Sequence, residues 1–155
     1  MKHCWVFFFV IFSSLGMAQL SFDFEEIIRN YYQEVHSDFK TEQLSDYFTA
    51  DALLLNDGEK LDFEGIQNLL LNLKEQFETA QENGRNLSRK HDIRFLDAKE
   101  DGQNAWLVYE NKAEFMMDGA VVATLNWLES AVFVLQEKVW KIQLLHASLI
   151  KEKNK

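Results

Sequence analysis

Residues 105–150 read AWLVYENKAEFM, MDG, AVVATLNWLESAVFVLQ, EK and VWKIQLLHASLI, and this stretch decides the fold. Its runs are rich in Val, Leu, Phe and Trp. Asp118-Gly119 and Glu137-Lys138 cut them at places where a two-residue turn closes a hairpin. A further run at 88–98 joins through Asp101-Gly102. Strands are therefore predicted at 88–98, 105–116, 121–135 and 139–150, paired as an antiparallel meander.

Upstream the period changes from two to nearly four. Ser21 can cap a helix to about residue 36, with Phe24, Ile27, Ile28, Tyr31 and Val35 on one face. A short helical turn follows at 41–48. A brief apolar strand at 52–55 ends in Asn56-Asp57-Gly58. Asp62 caps a second long helix with a stripe of Ile66, Leu69, Leu70, Leu73 and Phe77, and Asn83-Gly84 stops it. Helices first and a meander second give an α+β fold, with helices laid on one face of a curved sheet.

Composition narrows the class. With 155 residues and 47% hydrophobic side chains there is enough apolar material for one real core. A net charge of −9 disfavours a polyanion-binding surface, so no nucleic acid is expected. Lys2 and His3 precede an apolar run from Trp5 to Phe12, and small residues follow at Gly16 and Ala18. That pattern is a secretory signal peptide over residues 1–18, cleaved before Gln19. The run is too short to span a bilayer comfortably, so no stable membrane insertion is expected after cleavage. The expected location is secreted or periplasmic, with one domain over 19–155. Cys4 leaves with the leader, which excludes thiol chemistry, disulfides and Cys-ligated metal from the mature chain.

The turns also predict a register: 116 opposite 121, 135 opposite 140, 100 opposite 103. One face then carries Ile93, Phe95, Trp106, Val108, Ala131, Phe133, Trp140, Ile142 and Leu144, which should pack on the helices. The other mixes Lys90, Asp92, Arg94, Asn111, Ser130, Lys141 and Gln143 with Leu107, Tyr109, Leu128, Leu145 and Leu149. That second, half-apolar face suits solvent or a second copy. A homodimer is expected around Leu107, Tyr109, Leu128, Leu145 and Leu149.

Toward one end the covered face turns polar, with His91, Glu110, Lys112, Trp127, Glu129, His146 and Ser148. In this register Glu129 lies opposite His146, with Cβ atoms about 5 Å apart. Polar groups on a covered face need partners, water or a ligand. One reading is a pocket with His146 as general base oriented by Glu129, flanked by Tyr32, His91, Glu110, Trp127 and Ser148. The other is a polar network that satisfies itself. Tyr31 and Tyr32 are adjacent, so only one should point fully inward, and Tyr32 shares a helical face with His36. Asp57 reads as a turn residue. No HExxH, phosphate loop or GxSxG occurs, so no metal and no cofactor are expected.

The order of elements resembles the NTF2-like superfamily, which includes SnoaL-like polyketide cyclases, ketosteroid isomerases and scytalone dehydratase. The residues carrying the likeness are Tyr47-Phe48-Thr49-Ala50-Asp51-Ala52, Phe63-Glu64-Gly65-Ile66, Ala105-Trp106, Trp140-Lys141-Ile142 and His146-Ala147-Ser148. The ending is similar to the SnoaL-like and DUF4440-like branches. The resemblance implies a cone whose pocket lies between N-terminal helices and a strongly curved antiparallel sheet. Against ketosteroid isomerases, Tyr32 falls at the oxyanion-hole tyrosine, but Asn56 stands where a catalytic aspartate should be, and Asp57 is one position off. An amide cannot abstract a proton, so steroid isomerisation is disfavoured. Because this superfold hosts unrelated activities, three functions stay open. They are binding of a small, largely apolar molecule, lyase, isomerase or cyclase chemistry, and a dimeric interaction module.

Overall fold

The long strands and the two long helices form where the residue periods place them. The computed structural model of the chain describes residues 17–151. The leader read over residues 1–18 lies almost wholly outside the described residues. Helix α1, Met17–Asn30, runs directly into a π-helical turn, Tyr31–Ser37. A 3₁₀ turn at Thr41–Gln43 and the short helix α2, Leu44–Tyr47, lead to strands β1, Phe48–Asn56, and β2, Glu59–Asp62. Helix α3, Phe63–Glu82, begins as its sequence requires. The Asp62 carboxylate accepts from the Gly65 N–H at 2.9 Å. The meander follows as β3, Leu87–Asp101, β4, Asn104–Met117, β5, Ala120–Gln136, and β6, Val139–Leu149.

The six strands form one open sheet in the order β2-β1-β6-β5-β4-β3. The sheet is mixed, because β1 pairs parallel with β6 while every other pair is antiparallel. The β1–β2 turn holds Asp57 and Gly58 at φ 47° and 93°, the left-handed pair a tight hairpin needs. Asp57 does more than turn the chain. Its side chain accepts from Leu149 N–H at 2.9 Å, and its own N–H donates to Ala147 O at 3.2 Å. These bonds pin the turn to β6.

At one end the helices fill the space above the sheet. Phe24 of α1 meets Phe133 and Trp140 with ring centroids 5.0 Å from each. Ile28, Val35, Leu44, Ile66, Leu107 and Ile142 are fully buried around them.

The predicted register holds at the hairpins 116–121 and 135–140, whereas the first closes as Asp101 opposite Asn104, with Glu100 facing Ala105. The larger correction lies inside the strands. Each of β3, β5 and β6 carries a bulge, between Phe95 and Asp97, between Val121 and Ala123, and between Ile142 and Leu144. One extra residue reverses every side chain beyond it. β4 is therefore turned over relative to the prediction. Ala105, Leu107, Tyr109, Asn111 and Ala113 face the helices and are buried. Trp106, Glu110 and Lys112 lie on the outer face, where Glu110 pairs with Arg94 at 2.6 Å and Lys112 with Glu114 at 2.5 Å. In β6, Leu145 and Ala147 turn inward and Leu144, His146 and Ser148 outward.

Candidate functional site

Beyond the packed end, α3 stands away from the sheet and leaves a cavity of about 400 Å³. Its apolar wall includes Leu54, Leu69, Leu70, Leu73, Phe115, Leu125, Trp127, Leu145 and Ala147. Its polar wall is built from Tyr31, Tyr32, His36, Asn56, Arg89, His91, Asn111 and Glu129, with Asn72 and Gln76 of α3.

The π-helical turn sets the first polar side chains. Its wider winding brings residues five apart together, as in the Asp38 N–H donating to Gln33 O at 2.9 Å. His36 Nε2 thus meets the Tyr31 hydroxyl at 2.7 Å, and the His36 and Tyr32 rings lie 4.9 Å apart between centroids. Both tyrosines are buried, contrary to the expectation that only one could point inward, because the π turn widens the face.

The strands supply the rest as one chain of hydrogen bonds. Glu129 of β5 is 3% exposed. Its carboxylate accepts from the Tyr32 hydroxyl and from Asn111 Nδ2 at 3.0 Å. That second bond turns the Asn111 oxygen toward His91, 2.9 Å from Nδ1. An oxygen there requires a proton on His91 Nδ1, which leaves Nε2 with a lone pair. Nε2 is buried and has no partner among the described residues. The Tyr109 hydroxyl comes close enough to act on the Glu129 carboxyl but forms no geometrically sound bond.

Burial sets the electrostatics. It raises the Glu129 carboxyl above its ordinary range, and the bonds from Tyr32 and Asn111 oppose that rise. Burial first, and then the Glu129 charge, pushes the Tyr32 and Tyr109 phenols well up, so both stay protonated. Burial also pulls His91 down to about 4, against the bond to Asn111, and it holds His36 well below the usual imidazole range. Both rings are neutral at pH 7. Arg89, lowered by burial to about 10, remains a cation.

Of the residues singled out from the sequence, the cavity gathers Tyr32, His91, Trp127 and Glu129. It does not gather His146, Glu110 or Ser148. Ala147, not His146, stands opposite Glu129, and His146 is exposed on the outer face beside Ser148, 3.1 Å away. The bulge near Gln143 is the cause. Asn111, Arg89, His36 and Tyr109 were missed. One signal could have found the β4 residues: Glu110, Lys112 and Glu114 put three charges on alternate positions, which marks that side as solvent-facing and Tyr109, Asn111 and Ala113 as covered. Among the described residues, no group of three or more His, Cys, Asp or Glu could hold a metal, and no helix is long and apolar enough to cross a membrane.

No protein-family model and no curated protein matches the sequence. Solved structures do. An NTF2-like protein from Cytophaga hutchinsonii superposes with a TM-score of 0.62 at 12% identity, covering 88% of this chain and 100% of that one. A protein of unknown function with a cystatin-like fold from Nostoc punctiforme gives 0.68 at 9% identity, covering 87% and 94%. A type 2 hexachlorocyclohexane dehydrochlorinase gives 0.65 at 11% identity, covering 90% of each chain. The chain has the NTF2-like fold, an α+β cone with its cavity between helices and sheet.

Proposed function

We propose that this NTF2-like domain is an exported protein that binds a small, largely apolar molecule in the cavity. The supporting observation is a single atom in context. His91 lines a space whose other walls are mostly apolar, and its Nε2 is a buried acceptor without a partner. An unmet polar group costs about 1–3 kcal/mol, which a ligand O–H or N–H would recover. The volume is within the range that holds small ligands. Calorimetry with 1-naphthol tests the reading: the protein should bind it, and Leu73→Trp, which plugs the space from α3, should abolish binding while the fold persists. Equal binding by both would overturn it.

A second reading, lyase, isomerase or cyclase chemistry, is favoured by the Tyr32–Glu129–Asn111–His91 chain, which fixes the His91 tautomer and presents Nε2 as the base. A ring held near 4 is a weak base, so binding takes precedence. Under the enzymatic reading, His91→Ala abolishes turnover and spares affinity.

Export rests on the basic, apolar, small-residue leader, and an intact Met1 in the mature pool from the native host would refute it. Homodimerisation stays with the outer sheet face on a partly changed set of residues. Leu107, Tyr109 and Leu145 belong to the core, whereas Leu128 and Trp106 are exposed there at 44% and 36%. A monomeric mass at micromolar concentration by light scattering would count against it.

A further inference from the structure

Around His91 lie two more unmet polar atoms. Arg89 Nε and His36 Nδ1 are both buried without partners among the described residues. The three residues form one cluster: the Arg89 guanidinium donates to the His36 carbonyl, and the His36 and His91 rings are 5.6 Å apart between centroids. His36 Nε2 is taken by the Tyr31 hydroxyl, so Nδ1 is the ring nitrogen left without a partner. Arg89 Nε–H is a donor without an acceptor, and His36 Nδ1 beside it is unpaired. Among the described residues no carboxylate lies within ion-pair distance of Arg89, whose side chain sits near the Phe39 and Phe115 rings, 5.7 and 5.9 Å from their centroids.

We infer that the cavity takes a monoanionic ligand, an apolar body ending in a carboxylate that Arg89 receives. This rests on the cavity being a binding site and adds the charge of what it binds. A planar guanidinium fork suits a carboxylate. A dianion such as a phosphate monoester would need a second cation, and burial keeps both neighbouring imidazoles neutral.

The test is a pair of matched probes measured by calorimetry at pH 7: 1-naphthylacetate against 1-naphthylacetamide, and octanoate against octanamide. Each acid should bind at least ~10-fold tighter than its amide, the scale of one hydrogen bond to a charged group. Arg89→Gln should erase that preference, and Arg89→Lys should keep part of it. Equal affinity of acid and amide, or a preference that survives Arg89→Gln, overturns the inference and leaves the cavity reading standing. Failure of all four probes while 1-naphthol binds overturns the inference alone, and failure of 1-naphthol as well overturns both. If Arg89→Gln does not fold, the unmodified protein decides on the acid-to-amide ratio and on whether acid binding alone weakens with salt.

Discussion

The two ends of the space between helices and sheet are built from the same strands and behave oppositely. At one end Phe24, Phe133, Trp140 and Ile142 close on each other and leave no room. At the other, the same strands β4 and β5 present Asn111 and Glu129, and α3 stands off behind Leu69 and Leu73. Moving along β5 from Phe133 to Glu129 crosses from one regime to the other within a single face. The packed end carries the stability of the domain, which frees the open end to hold polar groups that packing alone would reject.

The contrast breaks most visibly at its packed end. Phe133→Ala empties a fully buried ring site and should cost about 3–5 kcal/mol in chemical denaturation. A loss below 1 kcal/mol would mean that this end is not the stabilising one.

Glu129→Gln should cost less, about 1–3 kcal/mol. An amide at 129 can keep its oxygen on Asn111 Nδ2, but its NH₂ then faces the Tyr32 hydroxyl and the bond from that hydroxyl to a carboxylate oxygen is lost. Its effect should couple to Tyr32→Phe, because both remove the same bond. Additive losses would show that the chain of bonds does not act as one unit.

Acid sharpens the difference further. The folded His91 value of about 4 lies below its ordinary 6.5, so the stability it contributes is full above about 6.5 and drains away as pH falls toward 4. His36 has the same sign. Glu129 has the opposite one. Its raised carboxyl favours the protonated form, so its contribution is full below 4.5 and is lost as pH rises through the folded value. Between pH 6.5 and 4 the acid-induced loss of stability should shrink in His91→Asn by about 2 kcal/mol, allowing for the partial exposure of the ring. An unchanged pH profile would place His91 in solvent.

The smallest effect is expected outside the cavity. His146→Ala removes an exposed side chain from the outer face and should change stability by less than about 0.5 kcal/mol and ligand affinity not at all. Loss of binding in this variant would restore the straight-strand register.

How much of this was legible follows the same geography. The long elements, the Asp62 cap and the hairpin turns at 118–119 and 137–138 were readable, because each depends on local chemistry within a few residues. So was the presence of Tyr32, His91, Trp127 and Glu129 near a polar end. The partners of Glu129 were not. They depend on bulges at Leu96, Val122 and Gln143, none of which is a glycine or otherwise distinguished in its strand. The apolar run from Trp106 to Tyr109 has no alternation to choose between faces, so hydrophobicity supported the wrong one there. The π turn was equally silent, since Tyr31, Tyr32 and His36 fit an ordinary helix by spacing alone.

The cavity's polar end is tested most directly by nitrogen-15 NMR of the His91 ring as pH and 1-naphthol are varied. The expected result is a neutral ring down to about pH 4, protonated on Nδ1, whose Nε2 resonance moves as 1-naphthol saturates the site. A ring that titrates near 6.5, carries its proton on Nε2, or ignores saturating 1-naphthol would contradict the site.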